Sequence, residues 1–104
     1  MPERPELLTE REEGMLIMRA RGYTFAEIGP VYGVGGSRAH QIIKGACQAL
    51  GASDPAHAIG IALCAGLITV EDLSGSDGND RLGEMRIPEH VREAVSGVGQ
   101  ESRP

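Results

Sequence analysis

Tryptophan is missing from this 104-residue chain, and the only aromatic residues are Tyr23, Phe25 and Tyr32. An interior built without large rings must be filled by Leu, Ile, Val, Met and Ala. A core that light supplies only a few kcal/mol of net stability, which favours a dimer or a bound partner over a robust monomer. Long hydrophobic runs are also missing. None approaches the roughly 20 residues that a membrane-crossing helix needs. Cysteine is scarce: Cys47 and Cys64 both fall in predicted helices and read as small buried apolar residues, and no Cys/His spacing resembles a zinc site. No nucleophile–base pair, carboxylate pair or phosphate loop is present. The Gly33-x-Gly35-Gly36 run is turn chemistry, because no strand precedes it. The chain therefore reads as a non-enzyme without cofactor or metal. The charged start MPERPELLTEREE carries no secretory apolar segment, so a cytoplasmic location is expected.

Lysine is nearly absent, with one residue against nine arginines, a bias that fits a GC-rich coding sequence. The net charge of −5 argues against an indiscriminate polyanion binder. Its distribution is uneven. Residues 71–104 hold eight acids and four arginines, net −4, whereas residues 1–70 hold seven acids and six bases, net −1.

Residues 1–7, with Pro2 and Pro5, read as a disordered lead. Thr9 and Glu12 stand at capping-box spacing and open a first helix running to about Arg21, with Met15, Leu16, Met18 and the Arg19 stem along its apolar stripe. Gly22 sits where a left-handed terminator is wanted. Thr24 and Glu27 form a second capping box, and the short helix behind them contains Pro30, where it either kinks or stops early. Gly29 reads as room for close approach of the next helix. A glycine turn at Gly33 leads to a third helix from about Gly36 to Leu50. Its inward set is Ala39, Ile42, Ile43, Ala46, Cys47 and Leu50, leaving Ser37, Arg38, His40, Gln41, Lys44 and Gln48 facing out. Asp54 with Pro55 starts a fourth helix, which stops at Gly66. On it Ala56, Gly60 and Cys64 form a strip of small residues. The strip suits packing within the monomer or a symmetric dimer contact, and the dimer is the favoured reading. Gly14, Gly45 and Gly60 lie in helix interiors at about 1 kcal/mol each against alanine, which adds to the case for a dimer. After Asp72 the composition turns to Gly, Ser and Asp. This predicts a flexible acidic linker, then a short helix over 88–96 carrying Ile87, Val91 and Val95 on one side, then a disordered end over 97–104.

Short helix, glycine turn, longer helix is the helix-turn-helix pattern, whose second helix enters a DNA major groove. The chain resembles the LuxR/GerE-type helix-turn-helix domain without a gap from Leu8 to Ile68. The matching points are Leu8-Thr9 with Arg11-Glu12, Leu16, Ala20, Gly22, Glu27-Ile28, Gly33-Val34, Leu50-Gly51, Ala58 and Gly66-Leu67-Ile68. Its middle is also similar to region 4 of primary sigma factors, through Tyr23-Thr24, Glu27-Ile28-Gly29, Gly33-Val34, Arg38, Gln41-Ile42, Ala46 and Leu50. The resemblance implies a small all-α, four-helix domain over 8–70, followed by the acidic linker and tail over 71–104. It places the DNA-facing positions at Gly36, Ser37, Arg38, His40, Gln41 and Lys44, and implies dimerisation through the fourth helix, where the spacing of small residues puts Ala56, Gly60 and Cys64.

Three positions depart from the family. Gly35 replaces a capping Ser or Thr, His40 replaces a lysine that usually meets phosphate, and Gly45 replaces a basic residue. Two fixed charges remain on the exposed face, Arg38 and Lys44, with Arg19 or Arg21 at its rim. The expected function is a dimeric, sequence-specific DNA-binding transcription regulator. The alternative is a protein-interaction module on the same scaffold, contacting a sigma factor, RNA polymerase or another regulator with weak or no DNA binding.

Overall fold

The computed structural model describes residues 7–74 and 82–101, with side chains described through Val95. Expectations for residues 1–6, 75–81 and 102–104 lie outside the described residues. The described residues are all-helical, with six helices: α1 (Glu10–Ala20), α2 (Phe25–Val31), α3 (Gly36–Leu50), α4 (Pro55–Ala65), α5 (Val70–Ser74) and α6 (Glu89–Glu101).

Local chemistry sets most of these ends. The Thr9 hydroxyl accepts from the Glu12 amide at 3.1 Å, and the Glu12 carboxylate accepts from the Thr9 amide at 2.8 Å. Thr24 and Glu27 repeat the arrangement at the start of α2. The Asp54 carboxylate accepts from the His57 amide at 2.8 Å and caps α4 behind Pro55. Gly51 and Gly66 end α3 and α4 in the left-handed region, where glycine carries no Cβ penalty. The fifth helix is not among the expected elements, although its signal is in the sequence. Thr69 and Asp72 cap each other reciprocally, by bonds of 3.0 and 3.1 Å.

α1 is the centre of the domain. Met15, Leu16, Ile17 and Met18 are consecutive and all buried, which requires neighbours around most of the helix. α2, α3, α4 and α5 supply them. Ile28, Ala39, Ile43, Ala46, Ala58, Ala62 and Ile68 complete the interior. α2 runs through Pro30 and ends at Val31, where Gly33 adopts a left-handed conformation (φ 74°) and the Gly33 and Val34 amides donate to the Pro30 and Gly29 carbonyls, so the glycine turn closes the helix. Gly14 has a specific reason to lack a side chain: the Tyr32 hydroxyl occupies the place a Cβ would take. Cβ atoms built at Gly45 and Gly60 meet nothing within 4 Å.

Three expectations are corrected by the packing. Arg21 is not a surface cation. It is fully buried, and its guanidinium donates from Nε to the Asp72 carbonyl at 3.0 Å, from Nη1 to the Gly83 carbonyl at 2.6 Å, and from Nη2 again to Asp72. The domain also does not end near residue 70. α5 follows, and residues 82–88 return as a strap: Leu82 is buried in the core, and the Arg86 amide donates to the Arg21 carbonyl at 2.8 Å. The last helix is longer than the expected 88–96, reaching Glu101, so residues 97–101 are helical and not irregular. Cys47 is buried as expected; Cys64 is exposed.

Candidate nucleic-acid interface

The 3.6-residue period of α3 divides it cleanly. Ala39, Ile42, Ile43, Ala46 and Cys47 are buried, Leu50 is half-buried, and Ser37, Arg38, His40, Gln41, Lys44 and Gln48 are exposed. The structure therefore brings five of the six expected DNA-facing residues onto one outer surface. The sixth, Gly36, is half-buried. A Cβ there would lie 3.1 Å from the Ala26 Cα and 3.2 Å from its nitrogen, so this glycine lets α3 start directly on the start of α2. Gly35 caps α3 through extended backbone alone, with no side-chain bond. Gly29 has no room for a side chain either. Its Cβ would meet backbone atoms of Val34 and Gly35 in the turn before α3.

A stack of side chains ties three helices at this surface. The His40 ring lies on the Phe25 ring, with centroids 4.6 Å apart and planes tilted by 32°. The Arg19 guanidinium stands 5.2 Å from the centroid of Phe25, and its Nη1 donates to the Tyr23 carbonyl at 3.1 Å. Arg19 is thus at the rim where Arg21 is not. Beside the stack a cleft of about 370 Å³ runs between α3 and the start of α4, lined by His40, Lys44, Cys47 and Gln48 on one side and Ser53 and Asp54 on the other. Burial, and then the Asp54 charge, push the Cys47 thiol up from its ordinary value, so it stays a protonated, inert group.

On α4, Ala56, Gly60 and Cys64 are all exposed along one strip. A shallow, mainly apolar groove of about 560 Å³ overlies it, lined by His57, Gly60, Ile61, Cys64 and Ala65.

The strap adds a contact that sequence reading missed. The Arg86 guanidinium grips Glu27 with both nitrogens, at 2.9 and 2.8 Å, and lies 4.0 Å from the centroid of the Tyr23 ring. The Tyr23 hydroxyl in turn accepts from the Glu84 amide at 3.3 Å. These partners are about sixty residues apart in the chain, and no local pattern connects them. The Arg86 bonds, helped by the Thr24 amide, pull the Glu27 carboxyl down to about 2 from an ordinary 4.5. A carboxyl whose value falls on folding adds stability that is present above its unfolded value and is lost as pH falls towards the folded one. The stability difference between the parent chain and Arg86→Gln is therefore expected to be full at pH 6 and to shrink between pH 4.5 and 2. Urea melts across that range measure it, and a difference independent of pH would contradict the assignment.

Among the described residues no helix is long and apolar enough to cross a membrane. Comparison of the chain with family models, with curated proteins and with solved structures finds no match in any of the three.

Proposed function

We propose that this chain is a LuxR-type helix-turn-helix regulator of transcription that binds double-stranded DNA as a homodimer in the cytoplasm. One observation carries the reading. A 15-residue helix, seated by a glycine turn on a short capped helix, presents Ser37, Arg38, His40, Gln41 and Lys44 together on its exposed face. Arg38 suits bidentate contact with guanine, and Gln41 with adenine. Two fixed charges per helix are thin for a monomer, because each phosphate neutralised adds only about −0.9 to the log–log salt slope. Doubling by symmetry makes them adequate and gives paired half-sites.

Selection from a random duplex pool tests the function. An enriched motif with inverted symmetry is expected, abolished when Arg38 and Lys44 are both replaced by alanine. Recovery of no motif overturns it. The dimer is supported by Gly60, whose missing side chain has no use inside the monomer. Gly60→Ala is expected to raise the stability of the isolated monomer by about 1 kcal/mol while weakening the dimer. Sedimentation at several concentrations reads the second effect; a parent chain that is monomeric throughout excludes the α4 contact.

A second reading has its own support. Ile87, near the end of the strap, and Val91 and Val95, in the first turns of α6, are exposed, the last by 64%. Such a stripe fits a protein-interaction module that meets a sigma factor or RNA polymerase. In that case the Arg38 and Lys44 replacements leave complex formation intact.

A further inference from the structure

We propose that the surface where α1 ends and α4 begins, beside α3, is the seat for one strand of the DNA backbone, with Lys44 and Arg19 as its cations and Asp54 as a fixed charge that opposes binding. The inference rests on the DNA-binding reading above and divides its residues into two roles. Arg38 and Lys44 are six positions apart on α3. At about 100° per residue they point some 120° away from one another, with Gln41 midway. A helix lying in a groove cannot aim both at the floor, so one of them faces a wall of phosphates. Recognition helices meet base edges through their N-terminal residues. Arg38 belongs to the first turn of α3 and Lys44 to its middle, which gives the floor to Arg38 and Gln41 and the wall to Lys44.

The surroundings of Lys44 agree. Asp54 and Pro55 line two adjoining hollows. The first, about 370 Å³, contains Lys44, His40 and Ser53. The second, about 420 Å³, contains Arg19. The first turn of α4 is thus a ridge with one cation on either side. Arg19 is held there by its bond to the Tyr23 carbonyl and by the face of Phe25. A backbone strand, with a negative charge at each nucleotide, matches two cations spaced along a rim better than a single compact anion does. Asp54 lies between them. Its carboxylate caps α4, so it cannot turn away without releasing the His57 amide. Asparagine caps nearly as well without the charge.

The test uses the full chain, a random-sequence duplex, and the duplex selected above, with salt titrations followed by fluorescence anisotropy. Lys44→Gln and Arg19→Gln are each expected to weaken both duplexes by the same factor, and to reduce the salt slope by about 0.9 for each phosphate left without its cation. Asp54→Asn is expected to tighten both duplexes a few-fold, since one negative charge beside the strand is removed while the cap on α4 is kept. Arg38→Gln is expected to cost more on the selected duplex than on the random one. Melting curves identify any variant that fails to fold; should Arg19→Gln do so, Lys44→Gln and Asp54→Asn carry the test. Unchanged slopes, a Lys44 effect confined to the selected duplex, or an Asp54→Asn chain that binds no tighter would each overturn the seat while leaving DNA binding standing. A parent chain without salt-dependent duplex binding would overturn the DNA reading itself.

Discussion

Replacing Arg21 with alanine is expected to cost roughly 3–5 kcal/mol, because it removes a buried charged donor of several hydrogen bonds and leaves backbone carbonyls unpaired. The side chain is fully buried, and its guanidinium serves two backbone carbonyls from different segments, Asp72 in α5 and Gly83 in the strap. Each hydrogen bond to a charged group is worth about 1.5–3 kcal/mol, and the orphaned carbonyls sit beside the space the side chain vacates. For a domain of this size the midpoint should fall by roughly 15–30 °C. Lysine should rescue little of the deficit. A single ammonium lacks the planar fork that addresses both carbonyls at once. Ending the chain at Ser74 removes the Gly83 acceptor and the Arg86 clamp together, so it should also destabilise the domain. Arg21→Ala should then cost less in the shortened chain than in the full one. Thermal melts by circular dichroism on the four proteins form the cycle. A midpoint drop below 5 °C for Arg21→Ala, or strict additivity, would show that the strap is not held this way.

Gly29→Ala is the second large effect, and its sign runs against helix propensity, by which alanine gains about 1 kcal/mol over glycine. The new Cβ would lie 2.5 Å from the Val34 oxygen, 2.7 Å from the Gly35 oxygen and 2.8 Å from the Gly35 carbonyl carbon. All three are backbone atoms, so no side chain can swing aside. The turn is also tied down, because the Gly29 carbonyl accepts from the amides of Tyr32 and Val34, both at 2.9 Å. Relief must come from moving the start of α3, at a cost of roughly 3 kcal/mol, the upper range for overpacking. Under the DNA-binding function proposed above, duplex binding should fall by more than the reduced stability explains, since the displaced helix carries Arg38 and Gln41. The measurement is a urea melt together with duplex titration at a temperature where the variant remains folded. A variant as stable as the parent would remove Gly29 from the packing of the turn. The contrast with Gly60→Ala is internal: both glycines are helical, and only the surroundings give the substitutions opposite signs.

Much of the outer surface of α3 is legible in the sequence because helix amphipathicity is a local property. Burial of Ala39, Ile42, Ile43, Ala46 and Cys47 leaves Ser37, Arg38, His40, Gln41 and Lys44 outside whatever covers the helix. Gly36 shares that face by position in the chain, yet its exposure is decided by the approach of α2, which the period cannot register. Arg21 departs from expectation for a related reason. A charged residue next to a helix end is usually solvated, and what buries this one lies 51 and 62 residues further along. The linker composition after Asp72 carries no sign that Leu82 enters the core.

The division follows from the range of the interactions. Capping boxes at Thr9 and Thr24, the Asp54-Pro55 start, the left-handed glycines Gly51 and Gly66 and the two faces of α3 each depend on atoms within about four residues, so local chemistry is enough to specify an all-α chain. The return of the strap, the burial of Arg21, the Arg86–Glu27 clamp and the Arg19–Phe25–His40 stack depend on groups that meet only after the helices have packed. Tertiary structure alone decided them, because the carbonyls and rings that receive these arginines are brought to them by folding, and no spacing in the chain encodes that meeting.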